Sequence, residues 1–388
     1  MKTILHISAD FPDPIVPAKT KAVERLVAAT EGFRHVVYSL NRVSWRTDIA
    51  MLAFGADRIA LAYGAPPYGF RLLSHLNRVA GAIADDLRRR GVRPDLIHAH
   101  KFSVDGVIAE RLSTLTGVPF IASLWGDTDC KFFESKPGLR AHYREMARRV
   151  RLLLPPAPWT ADYFSRVFRL NASRFELLPV MIAADALLPP RICAKPHLVT
   201  LFNWDAWRRK GFDTLLRALA LLAPDMPDLR LDVYGRGGPK ALLEMTQLIE
   251  RSGVQGQVGL MRPLDNDKVQ HTLNAYAGFV MPSRRETYGM VYIEALLAGV
   301  PILWPQNAAI DGYFTPSDAG YRCDVQSTVD VAKGMRHLIE QQMQLKHRIG
   351  VLKAEDAFEP FRQDAIVARY RRILSQATGS GSQIASAA

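Results

Sequence analysis

A rhythm of short apolar runs alternating with amphipathic stretches constrains the fold of this chain more than any other feature, and it stops once and then restarts. TILHISA (3–9) reads as a buried strand. After the Pro-rich loop DFPDPIVPAKT, the segment KAVERLVAAT carries Ala22, Val23, Leu26 and Val27 at helical spacing. HVVYSL (35–40) is the next apolar run. Residues 71–90 place Leu72, Leu73, Leu76, Val79, Ile83 and Leu87 on one side of a helix. DLIHAH (95–100) is a strand, VIAERLSTLTG a helix ending at Gly117, and PFIASLWG a further strand. Strands separated by helices need crossover connections, so the pattern predicts parallel βαβ units.

The rhythm breaks at LLPPRICAKP (187–196), where three prolines suit a linker. It then restarts with HLVTLFN, FDTLLRALALLA, LRLDVYG, ALLEMTQLIERSG, QVGLM, DKVQHTLNAY, GFVMPS, YGMVYIEALLAG and PILWP. One core rarely grows past about 250–300 residues, and this chain has 388. The sequence therefore predicts two doubly wound α/β domains, 1–190 and 191–360. A basic amphipathic helix follows at 361–377, and the Gly/Ser/Ala-rich tail 378–388 is expected to be disordered. Ligands of open α/β sheets bind beyond the carboxyl ends of the strands, so the loops that follow strands are where chemistry is expected.

The loop and helix PSRRETYGMVYIEALLAGVP bear the strongest functional signal. A strand ends at Ser283, and a helix begins near Tyr288 to Met290. Its free N–H groups and dipole favour an anion such as a phosphate, and Gly289 lets the backbone come close. Thr287, Tyr288 and Gly289 at this junction are candidate donor-binding residues. Glu294 lies among Val291, Ile293, Leu296 and Leu297, where a carboxylate needs donors such as ribose hydroxyls. Glu286 stands at the helix mouth. On physics alone a second reading is equally open: Glu286 as an acid favoured by the dipole, Glu294 paired with an Arg. In NWDAWRRKGFDTLLRAL (203–219), Arg208, Arg209 and Lys210 precede Gly211 and a helix, where cations would neutralise a departing diphosphate.

Taken together, PS, the Glu286-x7-Glu294 pair and AGVP resemble the motif of the family four retaining glycosyltransferases of GT-B fold. The resemblance implies two Rossmann-like domains facing each other across a cleft, with the last helix crossing back to the first domain. It gives Glu286 the donor sugar and Glu294 the ribose. Lys210-Gly211 matches the family's diphosphate clamp. Where the family places its Arg this chain has Asp205, so Arg209, or Arg208, is the substitute. The reaction implied is transfer of a glycosyl group from a nucleotide diphosphate sugar to a hydroxyl acceptor with retention, the diphosphate helping to deprotonate the acceptor. The acceptor expected is a saccharide or lipid-linked saccharide of surface polysaccharide or glycoconjugate assembly. VYGRGGPK (233–240) is similar to a family strand–Gly loop near the nucleotide, and a tight turn explains it equally well.

The first half resembles the family more loosely. Asp127 follows Trp125-Gly126 where the family often has a His-Gly pair; it is a catalytic candidate on the acceptor side and equally a turn residue. Lys19 and Thr20, at a helix start, are candidates for phosphate or acceptor contact. His98 and His100 alternate like metal ligands, yet no acid or cysteine stands nearby, and the reading favours core histidines. No acidic metal-binding pair fits a strand end, so neither metal nor cofactor is expected.

Charge and cysteine bound the rest. The formal charge is +12, and 26 of the 50 Lys and Arg fall in 1–190 against 18 of the 38 acids. A basic surface attracts polyanions or serves solubility. Arg71, Arg78 and Arg88 to Arg90, with Arg140, Arg144, Arg148, Arg149 and Arg151, form either a face for an anionic membrane or solvated helix faces. Cys130, Cys193 and Cys323 have no metal or redox spacing and suit a reducing compartment. With no membrane span or signal core, the expectation is the cytoplasm, including the inner face of the membrane. Nucleic acid is not an expected partner. The rival functions are a sugar-nucleotide epimerase or phosphorylase of the same fold and a non-enzymatic polyanion-binding protein.

Overall fold

In the computed structural model, which describes residues 1–44, 47–66 and 69–379, the apolar runs become strands of two separate sheets. The first holds β1 (Lys2–Ser8), β2 (Phe33–Val43), β3 (Ala50–Gly55), β4 (Arg58–Gly64), β5 (Leu96–Ala99), β6 (Phe120–Ser123) and β7 (Leu153–Leu154) in the order β3-β4-β2-β1-β5-β6-β7. All its pairings are parallel except β3 with β4. The second holds β8 (His197–Leu201), β9 (Arg230–Tyr234), β10 (Val258–Met261), β11 (Gly278–Val280), β12 (Ile302–Pro305) and β13 (Gly320–Cys323) in the order β10-β9-β8-β11-β12-β13, all parallel. The order reverses direction beside β1 in one sheet and beside β8 in the other, so each has a switch point where a doubly wound fold opens a crevice. The tail residues 380–388 lie outside the described residues.

Two details escape the periodicity. The β3–β4 hairpin gives no parallel signal, because β3 is a half-exposed edge strand with Leu52 turned out. The helices Gly126–Ser135 and Arg140–Arg149 are polar in sequence but bury Phe133, Tyr143 and Met146 in the first core.

The chain divides into two compact units, 1–156 with 160–181 and 364–388, and 157–159 with 182–363. The boundary thus falls at Met181/Ile182, before the Pro-rich run that the sequence suggests as the linker. That run is fastened within the second unit. The Leu188 N–H donates to Leu297 O at 2.9 Å, and Gln342 bonds both the N–H and the carbonyl of Cys193. A Cβ on Gly299 would sit 2.7 Å from Pro190 Cα. Prolines here mark an extended backbone, not a free one.

The last helix, Gln363–Thr378, returns to the first unit from Asp364. Ile366, Tyr370, Ile373 and Leu374 fall on one helical face (i, i+4, i+7, i+8) and are buried with Ile4, Leu96, Ile121 and Leu154. Each such side chain contributes about 1.5–3 kcal/mol, an upper estimate, since the unfolded chain already covers part of it. The Tyr370 hydroxyl meets His98 Nδ1 at 2.7 Å.

The basic runs are largely occupied within the first unit. Arg140, Arg144 and Arg151 donate to the carbonyls of Phe133, Val167 and Ala377. Arg88, Arg89, Arg148 and Arg149 form ion pairs with Asp85, Asp86, Glu145 and Glu110. No helix among the described residues is long and apolar enough to cross a membrane.

Candidate active site

In the second unit the loops after β8 and β11 touch, and a glycine makes this possible. Gly211 has φ +74°, and a Cβ there would lie 2.2 Å from Pro282 O. Only glycine accepts both the left-handed backbone and that approach. Across the junction the Arg284 N–H donates to Arg209 O at 2.9 Å. The Arg284 side chain reaches Arg208 O (2.6 Å), Asp213 (2.6 Å) and Thr214 (3.0 Å). These bonds bring Lys210 and Glu286, 76 residues apart in sequence, into an ion pair whose side chains are 14% and 12% exposed.

Gly289 caps the helix Met290–Leu297 in the left-handed region, φ +70°. A Cβ there would strike the Tyr292 ring at 2.5 Å and approach Glu286 Cγ at 3.0 Å. Tyr292 in turn donates its hydroxyl to Met281 O at 2.5 Å, tying the helix to the loop it follows. The helix mouth and Glu286 are therefore built by one contact set. Glu294 is half-buried on a helix otherwise sunk in the core. Thr287 is half-buried as well. The Tyr288 side chain is buried, and its hydroxyl has no partner among the described residues.

The three consecutive cations separate by contact. Arg208 lies over the Trp207 ring, 4.2 Å from its centroid, and pairs with Glu244 at 3.0 Å. Lys210 faces Glu286. Arg209 is exposed, and its guanidinium has no ion pair among the described residues. Gly235 and Gly237 of VYGRGG are packing residues, since a Cβ on Gly235 would lie 2.1 Å from Phe202 O and one on Gly237 2.7 Å from Trp204 Cβ.

In the first unit the Lys19 ammonium is engaged by the protein itself. All three of its N–H bonds are used, on Asp13 (2.7 Å), Ser39 (2.8 Å) and Leu40 O (3.1 Å). Burial would raise the Asp13 carboxyl, but hydrogen bonds from Lys19, Ser39 and Asn41 outweigh it and hold it at about 2. Thr20 Oγ1 accepts from the Ala22 N–H at 3.4 Å, a helix-start contact. Asp127 is half-buried in the first turn of its helix. The buried carboxylate is instead Asp129, which accepts from the N–H groups of Ser103 (2.9 Å) and Trp125 (2.7 Å).

Sequence reading missed two groups. Asp105 is wholly buried, and burial, reinforced by Asp10 and opposed by Lys101, pushes its carboxyl up to about 8. His98 and His100 have partners that spacing could not show, because β1 lies beside β5 and sets His6 opposite His98. His6 Nδ1 lies 3.0 Å from His100 Nε2, and His6 Nε2 lies 2.8 Å from His35 Nδ1. Among the described residues, His6, His98 and His100 bring their ring nitrogens within 4.8 Å of one another. The remoteness of these histidines in sequence hides the cluster.

The family description "Glycosyl transferases group 1" matches residues 199–351, which carry the Lys210 and Glu286 loops, and "Glycosyl transferase 4-like domain" matches 20–181. The chain belongs to the group 1 glycosyltransferase family. Its two Rossmann-like sheets are those of the family's GT-B fold. Sucrose-phosphate synthase of Thermosynechococcus elongatus superposes with a TM-score of 0.73 at 18% identity, over 97% of this chain and 99% of that one. Anabaena HepE in complex with UDP gives 0.71 at 16%, over 97% and 100%. Among curated relatives, N-acetyl-alpha-D-glucosaminyl L-malate synthase of Bacillus anthracis is 27% identical over 164 residues, 42% of each chain. The match therefore spans less than half the length of that relative.

The buried titratable groups of this family member predict a stability maximum near pH 6.5. Burial, then the neighbouring histidines, hold His6, His98 and His100 well below their usual range. The folded chain therefore binds fewer protons than the unfolded chain below about pH 6.5, and stability falls as pH drops. Asp105 acts oppositely: its folded form keeps a proton up to about 8, so stability falls as pH rises towards that value. Urea midpoints across pH 5–9 should trace a dome, and Asp105→Asn should flatten its alkaline side. A flat profile in the parent chain counts against both assignments.

Proposed function

We propose that the chain transfers a glycosyl group, with retention, from a nucleotide diphosphate sugar to a hydroxyl acceptor, and that a saccharide or lipid-linked saccharide is that acceptor. The observation that carries this reading is the junction of the β8 and β11 loops, which sets Lys210 against Glu286 at a glycine-capped helix mouth. The diphosphate would draw Lys210 from Glu286, with Arg209 beside it, a cation without an ion pair among the described residues, and the helix N–H groups at Gly289 as further donors. Glu286, released, would accept from hydroxyls of the donor sugar, and Glu294 from the ribose. The UDP held by Anabaena HepE supports a nucleotide donor. Asp127 is our candidate on the acceptor side.

Donor choice is read by thermal shift. A UDP- or GDP-sugar at 100 times its Kd should stabilise the fold by about 2.7 kcal/mol. Glu294→Ala should weaken that donor's binding about tenfold with kcat nearly unchanged, the signature of uniform binding. The reading of transfer stands on release of nucleoside diphosphate only when an acceptor is present; release without one, or interconversion of the donor sugar, assigns the site to another reaction. We propose that no metal takes part, and loss of turnover in excess EDTA rescued by magnesium or manganese would overturn that. Docking on an anionic membrane would rest on Arg71 and Arg78; equal sedimentation with phosphatidylglycerol and phosphatidylcholine vesicles removes it from the reading.

A further inference from the structure

The first unit contains a narrow pocket of about 40 Å³ at the carboxyl ends of β5, β6 and β7. Its walls are apolar: Val23, Leu26, Leu124, Leu154, Leu178 and Met181. A volume of that size holds a few heavy atoms, so it would take the end of a ligand. Three of its lining residues carry polar side chains that bear on what enters: His100, Ser123 and Trp125.

The hydrogen-bond roles at His100 follow from the chain of rings behind it. His35 Nε2 lies 2.7 Å from Thr30 O, which can only accept, so that nitrogen carries a proton. Burial favours neutral rings along the series. A neutral His35 then accepts at Nδ1, and His6 Nε2–H is the donor to it. His6 in turn accepts at Nδ1, and His100 Nε2–H is the donor to it. The remaining ring nitrogen, His100 Nδ1, is left as an uncharged acceptor. The tautomer at the pocket is thus set by a backbone carbonyl three imidazoles away. Trp125 lines the same pocket, and its indole N–H is buried with no acceptor among the described residues. Such an orphan donor is costly until something accepts from it. Ser123 Oγ is already engaged, 3.0 Å from His98 Nε2.

Two lining residues, one carrying an acceptor nitrogen and the other a donor N–H, match a hydroxyl, which both donates and accepts. They do not match a phosphate, which would bring charge into a pocket with no cationic side chain among its lining residues. We propose that this pocket binds the acceptor of the transfer reaction through an uncharged hydroxyl-bearing group with apolar flanks. In it Trp125 Nε1–H donates to the hydroxyl oxygen and His100 Nδ1 accepts its proton. The assignment rests on the reading of the chain as a glycosyltransferase; it adds the chemical class of the acceptor group and two positioning residues.

The test uses the full chain with ¹⁵N-labelled tryptophan. It has six Trp residues, and the Trp125 indole signal is the one that Trp125→Phe removes. The probes are butan-1-ol, butyl methyl ether and butyl phosphate. Butan-1-ol should move the Trp125 signal saturably. The ether, which accepts but cannot donate, and the phosphate should each bind at least about tenfold more weakly, the scale of one lost buried hydrogen bond. His100→Phe should bring the alcohol down to the level of the ether. The proposal is overturned if the phosphate moves the signal as readily as the alcohol, if alcohol and ether are equal in the parent chain, or if no probe moves it. The ether comparison needs no variant, so it decides even where His100→Phe fails to fold. Release of nucleoside diphosphate is measured separately. A Trp125 response with no donor turnover would leave the pocket and remove the glycosyltransferase reading. Turnover on a phosphorylated acceptor with a silent Trp125 would do the reverse.

Discussion

Lys210→Ala should lower kcat/KM for acceptor-dependent nucleoside diphosphate release by about 10²–10³-fold, the cost of removing one preorganised group that meets developing charge. The loss should appear in kcat and kcat/KM together, because the charge on the leaving diphosphate grows only in the transition state. Lys210→Arg should recover part of it. The fold should persist, since the junction rests on Gly211, Arg284 and the backbone bond from Arg284 to Arg209 rather than on the ammonium. Glu286→Gln makes the companion measurement: the amide removes the pairing charge but keeps the shape. If Lys210→Ala turns over within threefold of the parent chain, the diphosphate is not bound where we place it.

Gly211→Ala should destabilise the chain by about 3 kcal/mol and abolish turnover with it. A left-handed alanine costs roughly 1–2 kcal/mol. Its Cβ, placed 2.2 Å from Pro282 O, must also push the β8 and β11 loops apart. Gly253 supplies the control. It has nearly the same backbone, φ +72°, with nothing within 4 Å of a Cβ. Gly253→Ala should therefore show the backbone cost alone. Equal urea midpoints for the two variants would mean that the loop contact bears no strain.

Much of the donor side we propose is legible in the sequence because its residues lie close together along the chain. Glu286, Gly289 and Glu294 lie on one loop and helix, and Lys210-Gly211 opens another helix, so spacing alone brings each set together. Their mutual contact was not legible, since β8 and β11 are neighbours only through the order of the sheet. The same reason hides contacts in the first unit. Lys19 looked like a free cation at a helix start, but Asp13 and Ser39 surround it from a loop and from β2. Nothing in the sequence around Asp105 marks it out; burial, the largest influence on its carboxyl, comes only with the fold. The Pro-rich run looked like a linker because prolines punctuate, whereas its backbone bonds place it inside the second unit.

In the loop where we propose the donor binds, the order of amino acids already carries the two glutamates, the glycine between them and the strand–helix rhythm that presents them at a strand end. Those are short-range properties of the backbone: periodicity, capping and turn conformation. The packed fold sets Glu286 against Lys210 and turns Arg208 to Glu244, while Arg209 has no ion pair among the described residues; it also gathers His6, His35 and His98 of three strands, with His100 just past β5. Such meetings depend on which strands lie side by side, and strand order is set by the packing of the whole sheet rather than by any window of sequence.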